Sequence, residues 1–177
     1  MPIRDSLLPE LDHELATTRL VLAAVPESKT AFRPHPKSWT QGELALHVAN
    51  VLTWLPLTMK RTELDLAPPG GPAFVSPKFE SQAATLKFFD ETSRAARAAV
   101  ASATDDDFLV PWTLKRSGQV LFTAPRLRCV RSFVMSHMIH HRGQLTVYLR
   151  LCDVPLPPVY GPTADITGAE LAARAHA

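Results

Sequence analysis

Residues 125–151 read PRLRCVRSFVMSHMIHHRGQLTVYLRL, and this stretch decides the fold. Proline is favoured in the first turn of a helix, and apolar residues then recur three or four positions apart as far as Leu151. The pattern predicts a long helix with one stripe facing a core. The members of that stripe are Leu127, Val130, Phe133 or Val134, His137, Met138, His141, Leu145 and Tyr148 or Leu149.

The same periodicity predicts three helices upstream. The first covers residues 5–24, and the third runs from about 78 to 102. The second begins with a capping box at Thr40, which is followed three residues later by Glu, and it continues to residue 59. Pro56 lies inside this second helix and is expected to kink or break it.

The remaining segments read as non-helical. Residues 66–79 hold the run Pro-Pro-Gly-Gly-Pro and predict a loop, and residues 104–107 are expected to end the third helix. Residues 108–123 predict an irregular connection with at most a short hairpin, and prolines predict an extended tail from residue 153 onward. Together the elements predict an all-α protein, a four-helix bundle with an irregular connection before the last helix, in which residues 1–177 form a single domain whose last ten or so residues are a loose tail.

Composition excludes several classes of protein. The 177 residues carry 19 Lys and Arg against 17 Asp and Glu, a formal charge of +2, which lacks the basic footprint of a nucleic-acid or membrane-surface protein. No apolar run approaches the ~20 residues of a membrane-spanning helix. The first residues lack a secretory signal pattern, and Cys129 and Cys152 fit no paired motif, so reduced thiols and a cytoplasmic location are expected.

Histidines are the unusual feature of the core stripes. His137 and His141 lie one turn apart on the same face of the last predicted helix, a spacing that lets two imidazoles reach one cation. His47 lies similarly on the apolar stripe of the second helix. Polar ring nitrogens on a core face need partners, and three imidazoles from two helices can form an open metal site. A single core histidine, however, is more often simply hydrogen-bonded, so the residues alone leave both interpretations open.

The other four histidines are assigned outside this set. His140 is three residues from His137 but lies off the apolar row, so it is placed at the helix boundary or behind the ligands. His13 and His35 are expected at the surface, and His176 in the tail.

Three motifs resemble those of the DinB/YfiT-like superfamily. Residues 38–49, SWTQGELALHVA, are similar to its Trp-Ser/Thr-x-x-Glu-Leu-x-x-His signature, and residues 137–145, HMIHHRGQL, closely match its H-x-x-x-H-R-G-Q motif. Residues 154–165, VPLPPVYGPTAD, resemble its C-terminal P-x-x-Y-G ending. The resemblance implies a four-helix bundle that forms homodimers and a divalent metal held by His47, His137 and His141. Relatives include bacillithiol- or mycothiol-dependent transferases and a mycothiol-dependent maleylpyruvate isomerase.

Two chemistries are compatible with such a site. Zn, Ni, Fe and Mn all accept imidazole, and a bound cation can acidify water for hydrolysis or bind a small thiol as its thiolate. The expected function is therefore a metal-dependent hydrolase or a low-molecular-weight-thiol-dependent transferase acting on a small molecule. The alternative is a non-catalytic metal-binding or stress-response bundle.

Several residues near the histidines have candidate roles. Gln144 can orient a water or ligand, or else join two helices by a hydrogen bond. Arg142 can contact an anionic substrate, although pairing with a carboxylate across the bundle or a dimer interface is favoured. Trp39 is expected to pack as a hydrophobic staple, and Tyr160 to pack structurally rather than to cover the site. No carboxylate is marked as a general base. Weak support for a dimer comes from three apolar residues expected to be exposed: Trp54, Leu57 and Trp112.

Overall fold

The computed structural model describes residues 1–175. In chain order the elements are α1 (Ile3–Ala23), a 3-10 turn (Glu27–Lys29), α2 (Gln41–Val51), α3 (Trp54–Lys60), β1 (Glu63–Asp65), α4 (Gln82–Ala101), α5 (Asp105–Leu109), β2 (Pro111–Arg116), β3 (Gln119–Pro125), α6 (Arg126–Arg128), a π-helical segment (Cys129–Met135), α7 (Ser136–Leu151) and α8 (Gly168–Ala175).

The long predicted helices are all present and share one core. Helix α1 packs against α4 and α7, and α2 packs against the same two helices. Buried apolar side chains from all four fill the space between them, because each helix presents its apolar stripe inward. Central members of this core are Leu11, Leu22, Val48, Leu52, Phe89, Val100, Met138 and Leu145.

The expectation of an all-α bundle is wrong, because the chain also forms a three-stranded mixed sheet in the order β1-β2-β3. Strands β2 and β3 are antiparallel, and the turn between them has positive φ angles at Ser117 and Gly118, of 51° and 78°. Strand β1 pairs in parallel with β2, with Glu63 opposite Thr113. Alternating apolar residues indicated the β2–β3 hairpin. The parallel partner of β2 is β1, which lies fifty residues upstream, so no local sequence pattern predicts this pairing.

The sheet buries its own small apolar cluster beside the helical core. Trp112 is 1% exposed there and packs with Leu64, Leu114, Ala124 and Cys129. The expectation that Trp112 is an exposed residue at a dimer surface is therefore wrong. Cys129 is buried and Cys152 half-buried, and both are free thiols, as expected.

The second predicted helix breaks, as Pro56 led us to expect. Proline has no N–H to donate and its ring crowds the carbonyl one turn before it, that of Leu52. That carbonyl accepts instead from the N–H of Leu55 at 3.1 Å, and α2 ends at Val51 before α3 begins. The break turns the chain toward the sheet.

Two boundary predictions need correction. Thr104 does not merely end the third predicted helix: it caps the short helix α5, accepting from the N–H of Asp107 at 3.3 Å. The C-terminal tail is irregular as far as residue 167, but Gly168–Ala175 is helical rather than extended. His176 lies outside the described residues. No helix in the described part of the chain is long and apolar enough to span a membrane.

Candidate metal centre

Three histidines meet where α2 packs on α7. His47 is in the second half of α2, and His137 and His141 are one turn apart on α7, so the expected convergence of two helices occurs. One ring nitrogen from each residue lies within 4.8 Å of the other two, and the Nε2 atoms of His47 and His137 are 3.4 Å apart. All three side chains are half-buried. The described residues therefore contain one cluster of nitrogen donors facing a common point.

The three imidazoles are uncharged at neutral pH. Burial, and then repulsion from His141 and His137, lowers the pKa of His47 from 6.5 to about 4. Burial also lowers the pKa of His137 and of His141, although a hydrogen bond to the Phe133 backbone carbonyl opposes the shift in His137. Neutral imidazole is the form that binds metals, so the environment favours ligation over protonation.

A hydrogen bond fixes which nitrogen the ring of His141 presents. Gln144 Oε1 lies 2.7 Å from Nδ1 of His141 and accepts a hydrogen bond from its N–H, which leaves Nε2 of that ring free. Neither role considered for Gln144 matches this contact, since the amide binds a histidine on its own helix rather than another helix. A partner of this kind orients a metal ligand and raises its basicity.

Trp39 is the site residue that the sequence analysis missed. Its ring centroid lies 4.5 Å from that of His47 and 5.6 Å from that of His141, and the side chain is 46% exposed. The residue covers the histidine cluster instead of serving only as a helix staple. Its position just before the Thr40 cap indicated that it packs, but the contact with His141 depends on how α7 lies beside α2.

Two open cavities adjoin the cluster, and Trp39 forms part of the wall of both. One, of about 710 Å³, lies on the His47 side. The other, of about 450 Å³, lies on the His141 side and reaches Gln144. Ligand sites typically occupy 300–1,000 Å³, so each cavity has room for a small molecule next to the ring nitrogens.

Arg142 lies outside this site. Its guanidinium is buried and forms an ion pair with Glu14, Nη1 to Oε2 at 2.7 Å, and a hydrogen bond to the hydroxyl of Thr18 at 3.1 Å. Tyr160 accepts from Arg142 Nη2 at 2.6 Å and donates to Glu14, so the tail is tied to α1 and α7. The favoured pairing across the bundle is confirmed, and Tyr160 packs structurally as expected.

The remaining described histidines lie where the sequence placed them. His140 is exposed, and its ring touches that of His141 with centroids 4.9 Å apart, a position behind the cluster. His13 and His35 are exposed as well.

Acid is expected to destabilise the metal-free protein through the cluster. The unfolded chain takes up a proton at His47 near pH 6.5, whereas the folded protein does so only near pH 4. The contribution of the neutral ring to stability is therefore intact above pH 6.5 and is lost as the pH falls toward 4. Urea unfolding in EDTA across this range should show a shallower loss of stability in His47→Gln than in the wild type. Exposed His35→Gln is the control, and equal slopes in wild type and His47→Gln would contradict the expectation.

Comparison with known proteins identifies a family and two solved structures that this chain resembles. The family model of the DinB superfamily matches residues 10–145. A DinB-like protein from Bacillus cereus ATCC 10987 has a TM-score of 0.68 at 19% identity, over 90% of this chain and 98% of that chain. A DinB-like protein from Bacillus subtilis has a TM-score of 0.65 at 15% identity, over 87% and 97%. The search of curated proteins found no match.

The two structures show a shared fold, and the family model adds the sequence evidence. It spans more than half of the 177 residues and includes all three clustered histidines. The chain therefore belongs to the DinB superfamily.

Proposed function

We propose that the protein is a divalent-metal-dependent enzyme whose metal is held by His47, His137 and His141. The observation that carries the proposal is the convergence of three uncharged imidazoles, with ring nitrogens within 4.8 Å of one another, beside open cavities. Two nitrogens bound at about 2.1 Å to one tetrahedral ion lie about 3.4 Å apart. The Nε2 atoms of His47 and His137 have that separation, which is long for a hydrogen bond between two rings.

The donor set favours a catalytic site over a purely structural one. Structural zinc sites have four protein ligands, whereas catalytic sites keep a position open. Within residues 1–175 the cluster contains three histidines and no cysteine or carboxylate, so a bound ion would keep room for another ligand. When bound, the cation would act as a Lewis acid toward water or toward a small-molecule thiol.

The chain's own residues would prepare this chemistry. Gln144 holds the tautomer of His141 that presents Nε2, and burial keeps His47 unprotonated. Trp39 lies against the rings of His47 and His141 and forms part of the wall of both flanking cavities. These contacts suit Zn, Ni, Fe or Mn, and they suit either a hydrolase or a low-molecular-weight-thiol-dependent transferase. We also propose that the protein is a cytoplasmic homodimer and that its substrate is a small molecule.

Metal analysis tests the foundation of this proposal. We expect about one divalent ion per chain in protein purified without added chelator. The metal-loaded protein should then be screened on electrophilic small molecules and esters, with and without bacillithiol- and mycothiol-type thiols. Turnover that needs a thiol supports the transferase, and turnover without one supports the hydrolase. Metal binding without any turnover would favour the non-catalytic alternative, and absence of metal binding would refute the proposal.

Gln144 provides a finer test of the site. Replacing it with leucine removes the acceptor for His141 Nδ1, and the loss of such a partner typically lowers metal affinity by about 10–100-fold. Gln144→Glu keeps an acceptor oxygen in place and should retain most of the affinity. Competition with a chelating dye measures both variants. Equal affinities for Gln144→Leu and the wild type would show that the hydrogen bond has no part in ligation.

A further inference from the structure

We infer that the cavity on the His47 side binds a small organic anion, a carboxylate with an apolar body, as the substrate of the proposed enzyme. The inference rests on the proposed function and assigns the substrate class of the same site. Lys78 and Asn50 are the recognition residues, and Trp39 and Phe79 are parts of the apolar wall.

The cavity lining contains one basic residue, Lys78, and one acidic residue, Glu43, which pairs with Arg33 outside the lining. Glu43 is the acidic residue of the lining, and its carboxylate is already occupied: Oε2 accepts from the backbone N–H of Thr40 at 2.7 Å and from its hydroxyl at 3.0 Å. The same oxygen lies 3.6 Å from Arg33 Nη2. The ammonium group of Lys78 has no ion pair or hydrogen bond with any described residue. One uncompensated cation therefore faces the cavity.

The histidine cluster strengthens this bias. Histidine ligands supply no negative charge to offset a divalent ion, and within the described residues the cluster contains no carboxylate or cysteine. An anionic group in the neighbouring cavity would compensate both the ion and Lys78. A cationic substrate would meet repulsion from both.

Asn50 supplies a neutral recognition group. The residue lies one turn after His47 on α2, is 6% exposed and lines the cavity. Its side-chain amide forms no hydrogen bond within residues 1–175. The NH₂ group of this amide is therefore available, and a carbonyl or carboxylate oxygen bound in the cavity would accept from it.

The rest of the wall suits an apolar body. Phe79 lies against the first turn of α2, and this close approach depends on Gly42, since a Cβ atom there would be 2.8 Å from the Phe79 ring. The phenyl ring and the Trp39 indole both line the cavity, together with Leu46 and Pro77. A flat or branched hydrocarbon group can therefore be buried while the anionic end reaches Lys78.

Binding of matched probes tests the inference. Phenylacetate and its uncharged analogue phenylacetamide should be titrated into the metal-free protein in EDTA and into the Zn²⁺-loaded protein, with calorimetry and tryptophan fluorescence as readouts. We expect phenylacetate to bind about tenfold more tightly than phenylacetamide, as one charge-assisted hydrogen bond would give. The preference should weaken as salt is raised, because Lys78 is exposed.

Variants show which residues cause the preference for phenylacetate over phenylacetamide. Lys78→Gln should abolish the difference between the two probes, whereas Lys87→Gln, an exposed lysine of α4 that does not line the cavity, should leave it unchanged. Asn50→Ala should weaken both probes, since both carry a carbonyl-type oxygen. Thermal unfolding of each variant shows whether it is folded.

Three outcomes would overturn the inference: equal affinity for the two probes, failure of both to bind, or an unchanged preference in Lys78→Gln. Because the metal-free protein is titrated separately, these outcomes are distinct from a failure of the proposed function. If Zn²⁺ binds normally but carboxylates are not preferred, the substrate class is wrong and the metal site stands. If carboxylates are preferred but no metal binds, the metal site is wrong and the substrate class stands.

Discussion

We expect that replacement of His47 by alanine lowers the affinity for Zn²⁺ by more than about 100-fold, since the loss of a residue that merely orients a ligand already costs 10–100-fold. The same result is expected for His137→Ala and His141→Ala, because the three ring nitrogens face one point within 4.8 Å of each other. Metal-free protein titrated with Zn²⁺ against a chelating dye measures the change. Each variant should also lose the metal during purification.

His140→Ala is the matched control for this experiment. His140 is adjacent to a proposed ligand on the same helix, and its ring touches that of His141, yet it is exposed and lies outside the cluster. Its removal should change the affinity by only a few-fold. If His140→Ala lost as much affinity as His47→Ala, the assignment of ligands would be wrong. If no variant changed the affinity, the metal would bind elsewhere.

The second large effect is on stability and comes from Arg142. Replacing it with methionine leaves the buried Glu14 without a counter-charge, and breaking a buried ion pair from one side typically costs about 3–5 kcal/mol. Tyr160 loses its donor in the same variant. Urea unfolding of the metal-free protein should show this loss. The double variant Arg142→Met with Glu14→Leu removes both charges and should be destabilised by much less than the sum of the single variants.

A surface pair on the same first helix provides the comparison. Arg97 of α4 binds Asp12 of α1 through two hydrogen bonds of 2.8 and 3.1 Å, but both side chains are substantially exposed. Exposed pairs contribute about 0–1 kcal/mol, so Arg97→Met should have a small effect. Equal losses for Arg97→Met and Arg142→Met would contradict the role assigned to the buried pair.

The buried pair also bears on the site, because His141 and Arg142 are consecutive residues of α7. Successive helical positions point about 100° apart, so one residue faces the cluster while the next faces α1. Arg142 is bound to Glu14 and Thr18 on α1, and it is thereby fixed in rotation about the helix axis. The rotation of α7 that places Arg142 against α1 also places His141 toward α2. Arg142 lines neither cavity.

The helix that carries His137 and His141 has a π-helical segment just before these two residues. Residues Cys129–Met135 are π-helical, and Ser136 donates its N–H to the carbonyl of Arg131, five residues back. Such segments disturb the regular spacing of the helix and commonly occur near functional sites. Periodicity predicted one uninterrupted helix here and did not reveal the change to hydrogen bonds that span five residues.

The sequence by itself determined the four long helices and the three histidines that meet in the cluster. Apolar periodicity and the Thr40 capping box located α2 and α7, because helix formation and capping depend on residues three or four apart. The same spacing put His137 and His141 on one face of α7. His47 was identified because it is a polar residue on an otherwise apolar stripe of α2. For Arg142 the sequence favoured pairing with a carboxylate over contact with an anionic substrate, and the structure has the pairing.

Only the tertiary structure decided what depends on residues far apart in the chain. Strand β1 pairs with β2 although fifty residues separate them in the chain. Trp39, just before α2, contacts His141 on α7, and Glu14 on α1 is the partner of Arg142. The cavity with Lys78 and Asn50 likewise forms where a loop closes over α2. Local sequence cannot specify such contacts, because they follow from how whole helices and strands pack, and that packing is set by the sum of many weak interactions along the chain.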